Sequence, residues 1–110
     1  MDNSDALAAF SALSQQTRLD VFRLLVKAGA KGVLSGEISG QLDVRQNTMS
    51  ANLAVLLNAG LVRNERQGRT IRYFADFEAL RGLLAFLMED CCGGNPNICQ
   101  PVINEIACEF

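Results

Sequence analysis

The four cysteines are the side chains of this sequence best suited to chemistry, and all of them lie between residues 91 and 110. Cys91 and Cys92 are adjacent, Cys99 follows them after six residues, and Cys108 comes last. The adjacent pair is a poor disulfide, because neighbouring Cα atoms lie about 3.8 Å apart and a disulfide prefers roughly 4.4 to 6.8 Å. The pair is a good chelate instead, and thiolates select soft ions.

The segment between the pair and Cys99 predicts a flexible loop with a fixed turn, Gly93 to Asn97, which can return the third sulfur to the first two. The sequence contains no histidine, so any metal chemistry must come from cysteine or carboxylate. Cadmium or lead would suit these thiolates, and a four-thiolate zinc site would recruit Cys108. Oxidation sensing is a further alternative, in which Cys99 resolves a sulfenic acid on one of the adjacent cysteines.

The stretch Arg45–Val62 predicts one amphipathic helix that stops at Gly60. Its apolar residues recur with helical spacing and form one face, Met49, Leu53, Leu56 and Leu57. The opposite face is small and polar, with Asn47, Ser50, Ala51 and Ala54. Such a face lets another molecule approach closely, and Gln46 and Asn47 can offer donor and acceptor groups to a base edge. Taken alone, the pattern also fits an ordinary amphipathic helix with few surface charges.

Positive charge is concentrated around this stretch. The whole chain has a formal net charge of −2, but the segment 44–75 holds five arginines and one acid, which gives +4 there and −6 elsewhere. A surface that faces phosphates requires such a concentration. A simply solvated face would normally mix both signs.

Four further helices and a hairpin are predicted around the stretch. The first helix runs from a cap at Ser4 to Leu13 with Leu7, Phe10 and Leu13 inward, and the second runs over Gln15–Ala28 with Leu19, Phe22 and Val26 inward. Ser35–Leu42 is a short third helix, and with the helix after it makes a helix-turn-helix. Residues 61–66 and 70–75 flank the loop Gln67–Arg69 and predict a hairpin, or wing, with arginines at or beside its tip.

The last helix, Phe77 to about Met88 after a cap at Asp76, is apolar around nearly its whole circumference. A chain this short has too few elements to cover it, so a second subunit is expected, with the alanine-rich first helix alongside. The dimer contact is predicted at Leu7, Phe10, Leu80, Leu83, Leu84 and Leu87. A two-fold dimer would present two helices to a palindromic DNA site.

The sequence therefore predicts a mainly α-helical winged helix-turn-helix fold of about five helices plus a two-stranded wing, as a symmetric homodimer. Residues 1–90 are expected to form the DNA-binding and dimerisation domain, and residues 91–110 a flexible cysteine-containing tail. No signal sequence or membrane span is recognisable, so a cytoplasmic protein without a membrane partner is expected, with its cysteines mostly as thiols.

The sequence resembles the arsenical-resistance repressor family (ArsR/SmtB), small dimeric winged-helix metalloregulators of bacteria. The resemblance spans residues from about 5 to 90, and rests on Leu13-Ser14, Thr17-Arg18-Leu19, Ser50, Leu53, Val55-Leu56, Ala59-Gly60-Leu61-Val62, Gln67-Gly68-Arg69 and Tyr73. It implies repression of an operon until a toxic ion loosens the protein from its operator.

Three departures from the family pattern matter. Members usually carry an Arg-His pair after the serine of the reading helix, where this chain has Ala51 and Asn52, so one DNA contact is expected to be missing. The third helix often carries a Cys-Val-Cys sensing motif, but Glu37, Ile38 and Ser39 stand there. The zinc sensors of the family use histidines and acids on the last helix, and the absence of histidine argues against that site here.

Relatives with a CC…C tail just past the last helix sense arsenite, and the resemblance therefore implies Cys91, Cys92 and Cys99 as ligands. Trivalent arsenic keeps a lone pair and takes three donors, so Cys108 is a possible but unnecessary fourth. As(III) is the expected inducer, Sb(III) is a possible one, and no organic cofactor is expected. An enzyme of arsenic chemistry is disfavoured, because no activated cysteine lies beside an oxyanion-binding loop. The DNA contacts are predicted at Arg45, Gln46, Asn47, Thr48, Ser50, Ala51, Asn52, Arg66, Arg69 and Arg72.

Overall fold

The computed structural model describes residues 1–89 and 96–106, which form six α-helices, a 3-10 turn at Gly29–Lys31 and a three-stranded antiparallel sheet. In chain order the elements are α1 (Asn3–Leu13), α2 (Gln16–Ala28), β1 (Val33–Leu34), α3 (Ser35–Leu42), α4 (Gln46–Asn58), β2 (Val62–Gln67), β3 (Thr70–Ala75), α5 (Phe77–Leu87) and α6 (Pro96–Ile106). Within these ranges no helix is long and apolar enough to span a membrane.

Helix α1 turns its alanines inward. Ala6, Ala9 and Ala12 are buried, whereas Leu7 and Phe10 are exposed, so the prediction that these two larger residues face inward was wrong. The alanine stripe lets α1 lie close to the helices beneath it, and a leucine or phenylalanine there would hold them apart. The helix is capped by Asp2 rather than Ser4, because the Asp2 carboxylate accepts from the amide of Asp5 at 2.8 Å.

Helix α2 supplies the centre of the core through Val21, Phe22 and Leu25, all buried. Leu19 was predicted to face inward but is exposed, since the buried residues of α2 lie on a different side of the helix. Gly29 ends the helix at φ +63°, as its position after the last periodic residue predicts.

The predicted helix-turn-helix is confirmed. Helices α3 and α4 are joined by the three residues 43–45, where Asp43 adopts a left-handed φ of +53°. The inward face of α4 is the predicted one, with Met49, Leu53 and Leu56 fully buried.

The predicted hairpin is also confirmed, with Gln67 opposite Thr70 and Val62 opposite Ala75 across a two-residue turn. A third strand, β1, pairs with β3 and was not predicted, because its two residues are too few to show a period. Gly32, just before β1, requires glycine, since its φ is +62° and a Cβ there would lie 2.5 Å from the Tyr73 carbonyl oxygen.

Helix α5 is capped by Asp76, as predicted, whose Oδ1 accepts from the amide of Ala79 at 3.0 Å. Helix α6 was not predicted: residues 91–110 are expected from the sequence to form a flexible tail, but Pro96–Ile106 is helical. The division into a domain and a tail remains a prediction. Cys91, Cys92 and Cys108 lie outside the described residues.

Candidate nucleic-acid interface and thiol segment

The outward face of α4 is exposed and small, as the sequence predicts. Asn47, Thr48, Ser50 and Ala51 are all solvent-accessible. The Ser50 hydroxyl donates to the backbone carbonyl of Gln46 at 2.9 Å, one turn earlier. The residues of this face are short, so a DNA groove could receive it closely.

The start of α4 is positioned by α3. The Ser39 hydroxyl donates to Gln46 Oε1 at 2.9 Å, which fixes the Gln46 side chain at the junction of the two helices. Asn47 Oδ1 accepts from the amide of Thr48 at 2.9 Å. Arg45 stands at the N-terminal boundary of α4 with its side chain exposed, where the helix dipole also favours an anion such as phosphate.

Asn52 is not on this face, and its predicted role in DNA contact is not compatible with its position. It is only 9% exposed, and its Oδ1 accepts from Arg18 Nη1 at 3.3 Å. Arg18 Nε also donates to the carbonyl of Ala12 at 2.7 Å, so one guanidinium joins α1, α2 and α4. We call this set the Arg18 link. Sequence reasoning missed it because a helical arginine normally extends into solvent.

The arginines of the wing divide into two groups. Arg66 and Arg69 are exposed, and neither makes a hydrogen bond or ion pair through its side chain with the described part of the chain. Arg72, also predicted to contact DNA, is half-buried, and donates to Gln67 Oε1 at 3.1 Å and to the Lys31 carbonyl at 3.2 Å. Arg72 therefore fastens the wing to the turn before β1.

Arg63, which is not among the predicted DNA contacts, has its side chain engaged within the wing. Its guanidinium lies 4.4 Å from the centroid of the Phe74 ring and 3.7 Å from a Glu65 carboxylate oxygen. Such a stacked and paired cation is held along β2 rather than left for a ligand. Arg66 and Arg69 are therefore the cations of the described wing that are available to phosphates.

Large apolar residues are also exposed on α1, at Leu7 and Phe10, and on α5, at Leu84 and Leu87, and we call these four residues the α1/α5 surface. Their exposed fractions range from 41% to 68%. Leu80 is half-buried, and Leu83 is only 4% exposed because it packs into the core of its own chain. The prediction that Leu83 contacts a second subunit is therefore corrected, whereas Leu84 and Leu87 beside it on α5 are exposed.

Among the cysteines, only Cys99 belongs to the described residues, where it lies half-buried on α6. Its sulfur is disulfide-bonded, whereas the sequence predicts that the cysteines are mostly thiols. The described residues contain no cluster of three or more metal-ligating side chains. The proposed ligands Cys91 and Cys92 and the possible ligand Cys108 lie outside them, so the three-thiolate site remains a prediction.

The sequence of this chain is similar to those of known helix-turn-helix proteins. Residues 13–65 match a family described as a helix-turn-helix domain. The arsenical resistance operon repressor of Bacillus subtilis (strain 168) is 32% identical over 83 residues, which cover 76% of this chain and 75% of that protein.

Solved structures also resemble this chain. An ArsR-like transcriptional regulator from Rhodococcus sp. RHA1 is 26% identical with a TM-score of 0.68, over 97% of this chain and 96% of that one. A homodimeric winged helix-turn-helix DNA-binding domain from Mycobacterium bovis, solved by NMR, is 20% identical with a TM-score of 0.65, over 97% of this chain and 89% of that one. Both alignments span a length of chain that includes α6.

Proposed function

Since this chain belongs to the ArsR/SmtB family of winged helix-turn-helix transcriptional regulators, we propose that it is a homodimeric repressor of an arsenic-resistance operon, released from its operator by trivalent arsenic. The observation that carries the DNA-binding part is the exposed small polar face of α4, next in sequence to a wing with two available arginines. The arsenic part is supported by the cysteine spacing and by the similarity to a repressor of arsenical resistance.

In this proposal α4 enters the major groove, with Gln46, Asn47 and Ser50 reading base edges. Thr48 and Ala51 line the same face and allow close approach. Arg45, Arg66 and Arg69 contact phosphates, which contributes affinity and salt dependence.

Homodimerisation is supported by the four large apolar residues of the α1/α5 surface, which are 41% to 68% exposed. Exposed apolar residues of this size are typical of protein–protein contacts. Two-fold symmetry of such a dimer would match a palindromic operator.

In the proposed sensor Cys91, Cys92 and Cys99 act as three thiolate ligands, with Cys108 as a spare. Cys91 follows the end of α5 at Leu87 by four positions, and Cys99 lies on α6. One ion held by all three sulfurs would therefore tie α6 to the end of the helix that forms the subunit contact. A coupling of about 1 to 3 kcal/mol, or roughly 5- to 150-fold in operator affinity, is ordinary for such a switch.

The disulfide at Cys99 favours a second candidate, a thiol-redox switch of the same repressor. A peroxide would convert one thiolate to a sulfenic acid, and a second thiol would displace water from it to form the disulfide. The disulfide would then restrain α6 as the bound ion does, so arsenic binding and oxidation would both act on this helix.

The test measures fluorescence anisotropy of labelled operator, first selected from a random duplex pool, with fully reduced protein. Arsenite should release the DNA, and Cys91→Ser, Cys92→Ser and Cys99→Ser should each bind DNA normally but resist arsenite. Cys108→Ser is the matched control and should respond as the parent protein does. Release of the three variants by arsenite would refute the assigned ligands, and release by peroxide alone would favour the redox candidate.

A further inference from the structure

Helix α6 presents an apolar stripe to solvent. At 100° per residue, Ile98, Val102, Ile103 and Ile106 fall within one sector of about 140°, and they are 47% to 63% exposed. Gln100 and Asn104 occupy the opposite side, where their side chains are joined by a 3.0 Å hydrogen bond. The helix is therefore amphipathic, and its apolar side is uncovered by the described residues of its own chain.

A helix of this kind requires packing to be stable. It has only 11 residues, and Pro101 lies inside it. Isolated helices shorter than about 12 to 15 residues are marginal in water, and an interior proline destabilises a helix by about 3 kcal/mol. Pro96, at the first helical position, is harmless there because that amide has no helical partner.

The charge of α6 narrows the choice of what covers the stripe. Residues 96–106 contain one acid, Glu105, and no lysine or arginine. A DNA backbone or an anionic membrane surface would call for basic residues beside the apolar stripe. An apolar protein surface is the complementary partner, and the α1/α5 surface is one that the described residues leave open.

We propose that α6 packs its Ile98, Val102, Ile103 and Ile106 stripe against the α1/α5 surface of the second copy of this chain. This inference rests on the homodimer proposed above and extends its interface beyond α1 and α5. The described residues of its own chain leave the α6 stripe exposed, and the second copy offers the α1/α5 surface to cover it.

The packing places Cys99 at the subunit boundary. Cys99 and Ile103 are four residues apart and therefore lie on one side of α6. A bond that Cys99 makes to an ion or another sulfur would then change how α6 lies on the partner subunit. Subunit association and thiol chemistry would thus be coupled through one helix.

The first experiment places the photoreactive residue p-benzoylphenylalanine at position 103 or, as the control, at position 104 of the full reduced chain. Irradiation at position 103 should give a product of dimer size on a reducing gel, with mass spectrometry locating the attachment in residues 3–13 or 77–87. Position 104, on the polar side, should give little. Sedimentation velocity of the same samples reports the oligomeric state independently.

Charge substitutions provide a second measurement. Ile103→Asp should raise the dimer dissociation constant at least tenfold, because a carboxylate would be buried against apolar side chains. Asn104→Asp adds the same charge one residue away, keeps an acceptor for Gln100, and should change the constant less than twofold.

The outcomes separate the two proposals. A dimer in which position 103 forms only within-chain products would overturn the packing of α6 and leave the homodimer intact. A monomer at every micromolar concentration would overturn the homodimer itself, and with it this inference. Equal effects of Ile103→Asp and Asn104→Asp would also contradict the packing.

Discussion

Replacing Arg18 by methionine tests the Arg18 link between α1, α2 and α4. The change keeps the aliphatic length but removes two donors, one to the Ala12 carbonyl at 2.7 Å and one to Asn52 Oδ1 at 3.3 Å. The shorter bond is charge-assisted, a class worth about 1.5 to 3 kcal/mol, and an unpaired buried amide oxygen costs about 1 to 3 kcal/mol. Because the second bond is long, we expect the free energy of unfolding to fall by about 2 to 4 kcal/mol.

The assay is guanidinium unfolding followed by circular dichroism at one fixed protein concentration. Arg23→Met is the matched control, since Arg23 lies exposed on the same helix, and it should cost less than about 0.5 kcal/mol. Asn52→Leu should lower the free energy of unfolding by at least about 1 kcal/mol less in the Arg18→Met variant than in the parent protein. The reason is that the Asn52 amide has already lost its partner in that variant. Equal losses for Arg18→Met and Arg23→Met would refute the link.

Two further predictions concern the wing and the turn before it. Arg69→Ala should weaken operator binding and reduce the slope of log affinity against log salt concentration by about 1. Arg72→Ala should change that slope less and should instead lower the melting temperature, because the Arg72 side chain is bonded to Gln67 and Lys31. An equal reduction of the slope by both substitutions would place Arg72 on the phosphates. Gly32→Ala should destabilise by more than about 2 kcal/mol, because its Cβ would lie 2.5 Å from the Tyr73 carbonyl oxygen. Gly36→Ala is the control, because Gly36 lies inside α3 with open space where its Cβ would be, and it should stabilise the protein by up to about 1 kcal/mol. A Gly32→Ala variant as stable as the parent protein would contradict the close packing around Gly32.

The winged helix-turn-helix could be predicted because its signals are local. Met49, Leu53 and Leu56 mark one face of α4, and Gly60 and Gly68 adopt the positive φ values that their positions indicate. Helix period, strand period and turn chemistry all agree over this region, so local preference and tertiary packing specify the same elements.

The errors occurred where packing decides between two possible faces. Leu7 and Phe10 are large apolar residues of α1, yet the alanines are buried, since close helix approach favours small side chains. Periodicity gives the spacing of a buried stripe, but the space available beneath the helix decides which stripe that is.

Two features could not be predicted from the neighbouring residues in the sequence, namely the burial of Asn52 and the presence of helix α6. Asn52 turns inward because Arg18, 34 residues earlier, donates to it. Helix α6 was hidden by Pro96 and Pro101, which are typical of loops, although a proline at the first helical position is compatible with a helix. The position of Asn52 depends on a contact that is distant in sequence, and the subunit packing proposed above would account for α6.

X-ray absorption at the arsenic edge tests the central claim most directly, using reduced protein loaded with one equivalent of arsenite. Three sulfur neighbours are expected in the parent protein and in Cys108→Ser, falling to two in Cys99→Ser. Two sulfurs in the parent protein, or three in Cys99→Ser, would contradict the proposal that α6 carries the third ligand.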